Sequence, residues 1–228
     1  MDSGNKTVLI VEDDRDISAL LRDYLVQAGF RVRQIHRGDE AVAEIRAHPP
    51  DMVILDVMLP GVDGMTLCRE IRGFSNMPVI MVTARVEEID RLLGLELGAD
   101  DYVCKPFSPR EVVSRVKAVF RRSSPEPRNE KLAAGPILLD VDSHSATVSG
   151  ADLKLTHSEF ALLRALLSQP GRVFTRNELV ARVQGYSYEG YDRSIDTHVK
   201  NLRKKLAAAA PHLDPIQSVY GVGYKFSL

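Results

Sequence analysis

Charged and hydroxyl side chains follow the short apolar segments in the first half of the chain. Glu12-Asp13-Asp14 and Asp56 each come directly after an apolar run, Thr83 ends a third run, and Lys105 lies just beyond a fourth. Carboxylates that lie close together repel one another and do not all ionise unless a cation lies among them. Oxygen ligands favour a hard cation such as Mg²⁺, and a lysine or a hydroxyl can pair with phosphate oxygens. These residue types predict phosphoryl transfer to a carboxylate, with Mg²⁺ as the cofactor.

Each of these residues has a simpler explanation when it is taken alone. The acidic run could cap the helix that follows it, because acidic residues favour helix N-termini. Lys105 alone would more often be a solvated side chain. In an open α/β sheet, however, ligands bind beyond the carboxyl ends of the strands, where all of these residues would meet. The joint pattern therefore favours the chemical interpretation.

The elements that would position these residues alternate along the first part of the chain. The apolar runs are continuous and rich in Val and Ile, which is typical of parallel strands covered on both faces. Amphipathic segments lie between them, and residues 86–97 and 109–120 are helical candidates. About five strands and five helices in alternation predict a doubly wound α/β fold with a parallel (βα)5 sheet.

The second part of the chain has a different pattern. Short alternating segments over residues 137–155 predict a small antiparallel meander. Two capping boxes, in which Glu follows Thr by three residues, begin at Thr156 and at Thr175 and predict two helices. A third predicted helix covers residues 192–209, and the chain then forms a predicted hairpin with glycines at its tip.

Composition supports two ordinary domains and excludes several other classes of protein. The 228 residues are 44% hydrophobic and 27% charged, which is typical of globular proteins. Thirty basic and 31 acidic residues exclude a globally basic nucleic-acid coat, and two cysteines exclude a disulfide framework. A polar stretch with three prolines predicts a linker over residues 123–136, between domains over 1–122 and 137–228. No apolar run approaches the roughly 18 residues of a membrane span, so we expect no membrane insertion and a cytoplasmic location.

Four segments of the first domain, VLIVEDD, VILDVMLPGVDG, PVIMVTA and ADDYVCKPFSP, resemble the receiver domain of two-component response regulators. The resemblance implies that Asp56 is the phosphoacceptor and that the Lys105-Pro106 peptide bond is cis. The other residues of the implied site are the metal ligands Glu12, Asp13, Asp56 and the backbone carbonyl of Met58, and the switch residues Thr83, Tyr102 and Lys105.

The second domain contains a strongly basic helix, DRSIDTHVKNLRKKL. An α-helix fits the major groove of DNA, although a solvated charged face is the alternative for this helix alone. Together with LTHSEFALLRALL, GRVFTRNELV and VYGVGYKF, it resembles the winged helix-turn-helix domain of the OmpR/PhoB family. Tyr220 stands where many members carry an arginine in the wing, and a tyrosine there can contact sugar or phosphate. The implied DNA-contacting residues are Arg193, Thr197, His198, Lys200, Asn201, Arg203, Lys204, Tyr220 and Tyr224.

The same family pairs charged residues of two receivers across a two-fold axis, as a self-complementary interface requires. Solvated helix faces are the alternative, because exposed ion pairs contribute little within one chain. The resemblance implies the pairs Arg91–Glu111, Glu96–Lys117 and Asp101–Arg115, with Asp100 and Arg122 in the same interface.

The resemblance implies a transcription regulator that is switched by phosphorylation. A membrane sensor histidine kinase would phosphorylate Asp56, and the resulting homodimer would bind repeated half-sites on double-stranded DNA, with RNA polymerase as a further partner. No enzymatic activity is expected beyond its own phosphotransfer and a slow autodephosphorylation. Two further segments look close to an envelope-stress regulator of this family: GMTLCREIRGFSNMPVIMVTA and VEEIDRLLGLELGADDYVCKPFSPREVV. This similarity implies envelope and efflux genes as targets.

Two alternatives belong to other functional classes. A Mg²⁺-dependent phosphatase with an aspartyl nucleophile would turn over small phosphoesters, but its usual Asp-x-Asp motif is replaced here by Glu12-Asp13-Asp14. A constitutive DNA-binding protein with a vestigial receiver would bind DNA equally with and without a phosphodonor. The complete acidic set and Lys105 argue against this second alternative.

Overall fold

The structure is a computed structural model that describes residues 6–84, 94–123, 130–184 and 192–228. The chain divides into two compact units, residues 1–117 and 118–228. The sequence predicts the end of the first domain at residue 122, five residues after this division.

The first unit is built on a five-stranded parallel sheet with the order β2-β1-β3-β4-β5. This doubly wound order confirms the predicted α/β fold. Most of the predicted helix over residues 86–97 lies outside the described residues. The strands are β1 (Thr7–Val11), β2 (Arg31–Ile35), β3 (Met52–Asp56), β4 (Val79–Thr83) and β5 (Asp101–Cys104). The helices described over their full length are α1 (Arg15–Gln27), α2 (Gly38–Ala47), α3 (Gly64–Phe74) and α4 (Pro109–Ser123), and residues 94–96 are also helical.

The central strands form the core of this unit because their apolar runs are covered on both faces. Every residue of β3 and β4 is buried. The parallel register pairs Asp56 with Val82 and Thr83 with Cys104, so the carboxyl ends of neighbouring strands lie side by side. This edge of the sheet is the place where the residues with candidate chemistry are brought together.

The second unit contains two antiparallel sheets around a helical core. One sheet has the order β6-β7-β8-β9 and the other the order β10-β12-β11. This arrangement confirms the predicted winged-helix architecture. The strands are β6 (Lys131–Ala134), β7 (Ile137–Asp140), β8 (Ser145–Val148), β9 (Ala151–Asp152), β10 (Val173–Thr175), β11 (Ile216–Val219) and β12 (Gly223–Phe226), and the helices are α5 (His157–Leu167), α6 (Arg176–Gln184) and α7 (Asp192–Ala209).

Strand β6 lies inside the predicted linker. It pairs antiparallel with β7, and Leu132 and Ala134 pack against the core of the second unit. The prediction that the linker reaches residue 136 is therefore wrong, because this short strand pairs with the sheet and alternate side chains pack against the core. Lys-Leu-Ala-Ala carries too weak an alternation to identify a strand from the sequence.

Both predicted capping boxes are present. The Thr156 backbone N–H donates to Glu159 Oε2 at 2.8 Å, and the Glu159 N–H donates to Thr156 Oγ1 at 3.4 Å. Thr175 and Glu178 make the same reciprocal bonds at 2.8 and 3.2 Å. These bonds satisfy amide groups that have no partner within the first turn of a helix, and they set where α5 and α6 begin. Among the described helices, none has the length and apolar character that a membrane span requires.

Candidate functional site

Three carboxylates and one ammonium group meet at the carboxyl edge of the parallel sheet. Oxygen atoms of Glu12, Asp13 and Asp56 lie within 4.8 Å of one another. Lys105 Nζ donates to Glu12 Oε1 at 2.8 Å and to Asp56 Oδ2 at 2.7 Å. Glu12 and Asp56 are buried, whereas Asp13 is exposed. The structure therefore brings these four predicted residues together.

The electrostatics of this cluster show an excess of negative charge. Burial is the main reason why the pKa of Glu12 rises from 4.5 to about 7; the hydrogen bond from Lys105 lowers it, and the charge of Asp56 raises it. Burial alone would lower the pKa of Lys105, but its hydrogen bonds to Asp56 and Glu12 outweigh burial and raise it. One ammonium group thus faces more than one carboxylate, so a further cation would be stabilised here.

The donor set fits a hard divalent cation. Carboxylate oxygens are the ligands that Mg²⁺ prefers, and Mg²⁺ commonly keeps waters and takes phosphate oxygens at its other positions. The backbone N–H of Met58 donates to Asp56 Oδ1 at 3.1 Å, so the loop after β3 folds back onto the aspartate. That contact places the Met58 backbone beside the cluster, where its carbonyl is predicted to be a ligand.

Asp14 has a different role from the two acidic residues before it. Its Oδ1 accepts hydrogen bonds from the N–H groups of Asp16 at 2.9 Å and Ile17 at 3.1 Å, so it is the N-cap of α1. The acidic run therefore divides between the two interpretations of the sequence: Asp14 caps the helix, while Glu12 and Asp13 contribute to the cluster.

Thr83 and Lys105 lie at the ends of neighbouring strands. Thr83 is buried at the end of β4, and its carbonyl accepts a hydrogen bond from the Lys105 N–H at 2.6 Å. The Lys105-Pro106 peptide bond is cis, as predicted. Tyr102 is buried in β5 and belongs to the same apolar cluster as Met81. The structure thus places Thr83 beside the lysine and the Tyr102 ring within the core.

Two glycines that sequence analysis did not single out permit close backbone approaches to the end of β3 and to the loop that follows it. A Cβ on Gly64 would lie 2.0 Å from the Asp56 carbonyl oxygen, and one on Gly38 would lie 1.9 Å from that of Val62. Only glycine lets α3 begin so close to the end of β3. The Asp63-Gly64 pair is a turn signal that could have indicated this close approach.

Asp100 is not available for the predicted dimer interface. Its side chain is completely buried, and its Oδ2 accepts hydrogen bonds from Arg72 Nη2 and the Val79 N–H, both at 3.0 Å. The prediction for Asp100 is therefore wrong, because the carboxylate is enclosed by its own domain and neutralised there.

Asp101 and Arg115 pair within one chain. Arg115 Nη1 lies 3.1 Å from both carboxylate oxygens of Asp101, and both side chains are buried. Arg115 Nη2 also donates to Glu111 Oε1 at 2.6 Å. The prediction that Asp101 pairs with Arg115 between subunits is corrected by this contact. The remaining interface predictions are Glu96 and Lys117, which are exposed, and Arg91 and the side chain of Arg122, which lie outside the described residues.

Several predicted DNA-contacting residues are enclosed within the second unit. Thr197, His198 and Tyr224 are buried, and the Tyr224 hydroxyl donates to Asp196 Oδ1 at 2.7 Å. Side chains enclosed in this way have little surface to offer a groove of DNA, so the structure does not support these three predictions.

The basic residues of α7 fall into two groups. Arg203 Nε donates to the Ile216 carbonyl at 3.0 Å, which ties α7 to strand β11, so the structure does not support the prediction that this side chain contacts DNA. Lys205 Nζ lies 2.6 Å from Glu159 Oε2. Lys200 and Lys204 are exposed, one helical turn apart. The other predicted positions are Asn201, which is half-buried, Tyr220, which is fully exposed at the hairpin tip, and Arg193, whose side chain is not described.

Comparisons with known proteins agree with both halves of this description. Residues 8–117 match the family model of the response regulator receiver domain, and residues 150–226 match that of the transcriptional regulatory protein C-terminal domain. The transcriptional regulatory protein BaeR of Escherichia coli O6:H1 is 48% identical over 99% of this chain and 95% of BaeR. This chain is a two-component response regulator of the OmpR/PhoB family.

Two other proteins are also similar to this chain over its full length. ResD of Bacillus subtilis is 42% identical, covering 100% of this chain and 99% of ResD. The crystal structure of DrrB, an OmpR/PhoB homologue from Thermotoga maritima, is 29% identical, with a TM-score of 0.53 and coverage of 98% of this chain and 99% of DrrB. As a member of this family, the response regulator has DNA as a partner of its C-terminal domain and a sensor kinase as a partner of its receiver.

Proposed function

We propose that this response regulator controls transcription through Mg²⁺-dependent phosphorylation of Asp56 by a sensor histidine kinase. One observation carries the proposal: the Asp56 carboxylate lies among Glu12, Asp13 and Lys105, with Lys105 Nζ 2.7 Å from Asp56 Oδ2. A nucleophilic carboxylate beside a mobile cation and two further acidic groups is the arrangement that phosphoryl transfer requires.

The residues of the site have separate tasks in the transfer. An Asp56 oxygen attacks the phosphorus atom of the kinase phosphohistidine, the new O–P bond forms, and the P–N bond breaks with release of the imidazole. The Met58 N–H holds Asp56 Oδ1, so the carboxylate is oriented before the reaction. Glu12, Asp13, Asp56 and the Met58 carbonyl would hold Mg²⁺, which when bound neutralises charge on the phosphoryl oxygens.

Phosphorylation changes the charge that Lys105 and Thr83 face. In the structure Lys105 is shared between Glu12 and Asp56. A phosphoryl group on Asp56 would compete for this ammonium group, and the Thr83 hydroxyl at the neighbouring strand end could donate to it. Tyr102 would repack as this edge of the sheet shifts, and the change would favour the dimer as a population shift between two existing states.

The dimer then brings two DNA-binding domains onto repeated half-sites. Helix α7 would enter the major groove, with the exposed Lys200 and Lys204 on phosphates and the wing residue Tyr220 on the backbone beside it. For the receiver dimer we propose the exposed Glu96 and Lys117, with Glu111, which Arg115 also contacts, and Arg91, which lies outside the described residues. We further propose RNA polymerase as a partner, envelope-stress and efflux genes as targets, and action in the cytoplasm; the two segments that look close to an envelope-stress regulator support the targets.

The test is phosphorylation of the full chain by acetyl phosphate with Mg²⁺, followed by intact mass and oligomer size. We expect one phosphoryl adduct and a shift to dimer in the wild type and in Asp23→Ala, a matched control at an exposed aspartate outside the cluster. Asp56→Ala should show neither change. If acetyl phosphate gives no adduct, the same comparison is made with phosphorylated kinase as the donor.

An adduct that persists in Asp56→Ala would contradict the proposed phosphoacceptor. Sustained release of phosphate from small phosphoesters would favour the aspartyl phosphatase instead. Equal DNA affinity of the phosphorylated and unphosphorylated protein would favour a constitutive DNA-binding protein.

A further inference from the structure

The DNA-binding domain contains a cavity with a volume of about 290 Å³. Its walls include Phe160, Ala161 and Arg164 from one face of α5, and Arg182 from α6. None of its lining residues belongs to the phosphorylation site or to the predicted DNA contacts. Small-molecule pockets begin at about 300 Å³, so the cavity matches a ligand with a single ring.

One wall of the cavity is aromatic. The rings of His144 and Phe160 stack with their centroids 3.8 Å apart and their planes inclined by 28°. His144 stacks on its other neighbour, His157, at a centroid distance of 4.4 Å. Rings fixed against one another in this way offer a planar ligand a rigid surface to stack on or to meet edge-to-face.

The charged groups of the cavity do not balance. Arg164 Nη2 pairs with Glu130 Oε2 at 2.5 Å, so these two charges neutralise each other. Arg182 has no carboxylate within ion-pair distance among the residues that the structure describes. The cavity therefore carries one positive charge that no acidic group in its lining offsets.

The position of Arg182 is set by an aromatic contact. Its guanidinium carbon lies 5.0 Å from the centroid of the Phe174 ring, which is completely buried. Arg172 contacts the same ring at 4.6 Å, but it is neutralised by Glu178 at 2.8 Å. Of these two arginines, Arg182 is therefore the one whose charge can bind a ligand. A guanidinium suits a carboxylate because it donates two parallel hydrogen bonds.

We propose that this cavity binds a small planar aromatic carboxylate. Its ring would lie against the wall formed by His144 and Phe160, and its carboxylate would meet Arg182. All of these residues belong to the second unit, so binding does not depend on the phosphorylation of Asp56. The site also contacts α5 and α6, the two helices that precede the recognition helix α7, so an occupant would lie within the DNA-binding domain itself.

The test is a titration of the full-length protein with benzoate, followed by calorimetry and by ligand-observed NMR. Benzamide is the matched ligand without the charge, and cyclohexanecarboxylate is the matched ligand without the planar ring. We expect saturable binding of benzoate and markedly weaker binding of both controls. Asp56→Ala should bind benzoate as the wild type does, which separates this proposal from the proposed phosphorylation.

Two variants locate the site, and a third controls for charge. Arg182→Gln should weaken benzoate binding roughly tenfold or more, as expected for the loss of a charge-assisted hydrogen bond. Ala161→Leu should block binding by filling the cavity, while Lys154→Gln, at an exposed lysine of the same domain outside the lining, should leave binding unchanged. Thermal unfolding tests whether each variant is folded. If Ala161→Leu does not fold, the result rests on Arg182→Gln, because Arg182 is exposed and its replacement leaves the core intact.

Several outcomes would overturn the proposal. Benzamide binding as tightly as benzoate would remove the role of the carboxylate. Unchanged binding in folded Arg182→Gln would place the ligand elsewhere. Absence of saturable binding to the wild type would show that the cavity does not accept this class of ligand.

Discussion

Replacement of Lys204 by glutamine isolates one of the DNA phosphate contacts that we propose for helix α7. Lys204 is exposed on α7, whereas Lys205, the next residue, is held 2.6 Å from Glu159 Oε2 inside its own domain. The two substitutions remove the same charge from adjacent positions of one helix. Lys205→Gln is therefore a matched control that separates contact with DNA from a general change in charge.

The expected magnitude follows from counterion release. Each neutralised phosphate contributes about 0.9 to the slope of log affinity against log salt. If each bound domain loses one contact, Lys204→Gln lowers the slope by about 0.9 per domain. When the salt concentration rises fourfold, the variant should therefore lose less affinity than the wild type, by a factor of about 3.5 for each bound domain.

The assay is fluorescence anisotropy with a duplex of arbitrary sequence over a fourfold range of salt, with each protein in the same phosphorylation state. We expect a lower slope for Lys204→Gln and an unchanged slope for Lys205→Gln. Lys205→Gln should instead lower the stability of the DNA-binding domain, because it leaves the buried Glu159 without this ammonium partner. An equal loss of slope in the two variants would refute the assignment of their different roles.

Three further predictions test other parts of the structure. Tyr220→Ala should lower DNA affinity equally at every salt concentration, because the side chain is exposed but uncharged; anisotropy over the same salt range measures this. Thr156→Ala should destabilise the DNA-binding domain by about 1 kcal/mol through loss of the α5 cap, as measured by denaturant unfolding. Lys105→Met should destabilise the receiver by roughly 3 kcal/mol, because Glu12 and Asp56 then face each other while buried; added Mg²⁺ should restore part of this loss in thermal unfolding.

The positions of the residues in the proposed phosphorylation site could be predicted because each lies next to a strong local signal in the sequence. Continuous apolar runs identify buried parallel strands, and the carboxyl ends of such strands lie at one edge. Glu12, Asp13, Asp56 and Lys105 therefore come together as expected. Asp14 caps α1, whereas Glu12 and Asp13 belong to the acidic cluster. This difference depends on backbone geometry, which residue types alone do not specify.

The surface of helix α7 is harder to predict from the sequence. Helical spacing identifies one apolar stripe and assigns the remaining residues to the outside. Helix α7, however, is covered on a second side by the terminal hairpin. Arg203 of the helix donates to the Ile216 carbonyl, and the Tyr224 hydroxyl donates to Asp196 of the helix. That second contact explains why Arg203 is partly covered and why Tyr224 is buried.

The predicted dimer residues of the receiver were also difficult to assign from the sequence, because their contacts join residues that are distant in the chain. Asp100 and Arg72 are far apart in the sequence, and their contact arises only when α3 packs beside the start of β5. Asp101 and Arg115 likewise meet through the packing of α4 on the sheet edge. A pattern of charges in the sequence does not distinguish a partner in another subunit from one in the same chain.

The most direct test of the account is selection of DNA from a random-sequence pool by the full-length protein. Wild type and Asp56→Ala are each treated with the same phosphodonor and Mg²⁺ and then carried through identical rounds of selection. The account predicts that the wild type enriches a repeated half-site and that Asp56→Ala enriches it weakly or not at all. Equal enrichment of the same sequence by both proteins would contradict the claim that phosphorylation of Asp56 controls DNA binding.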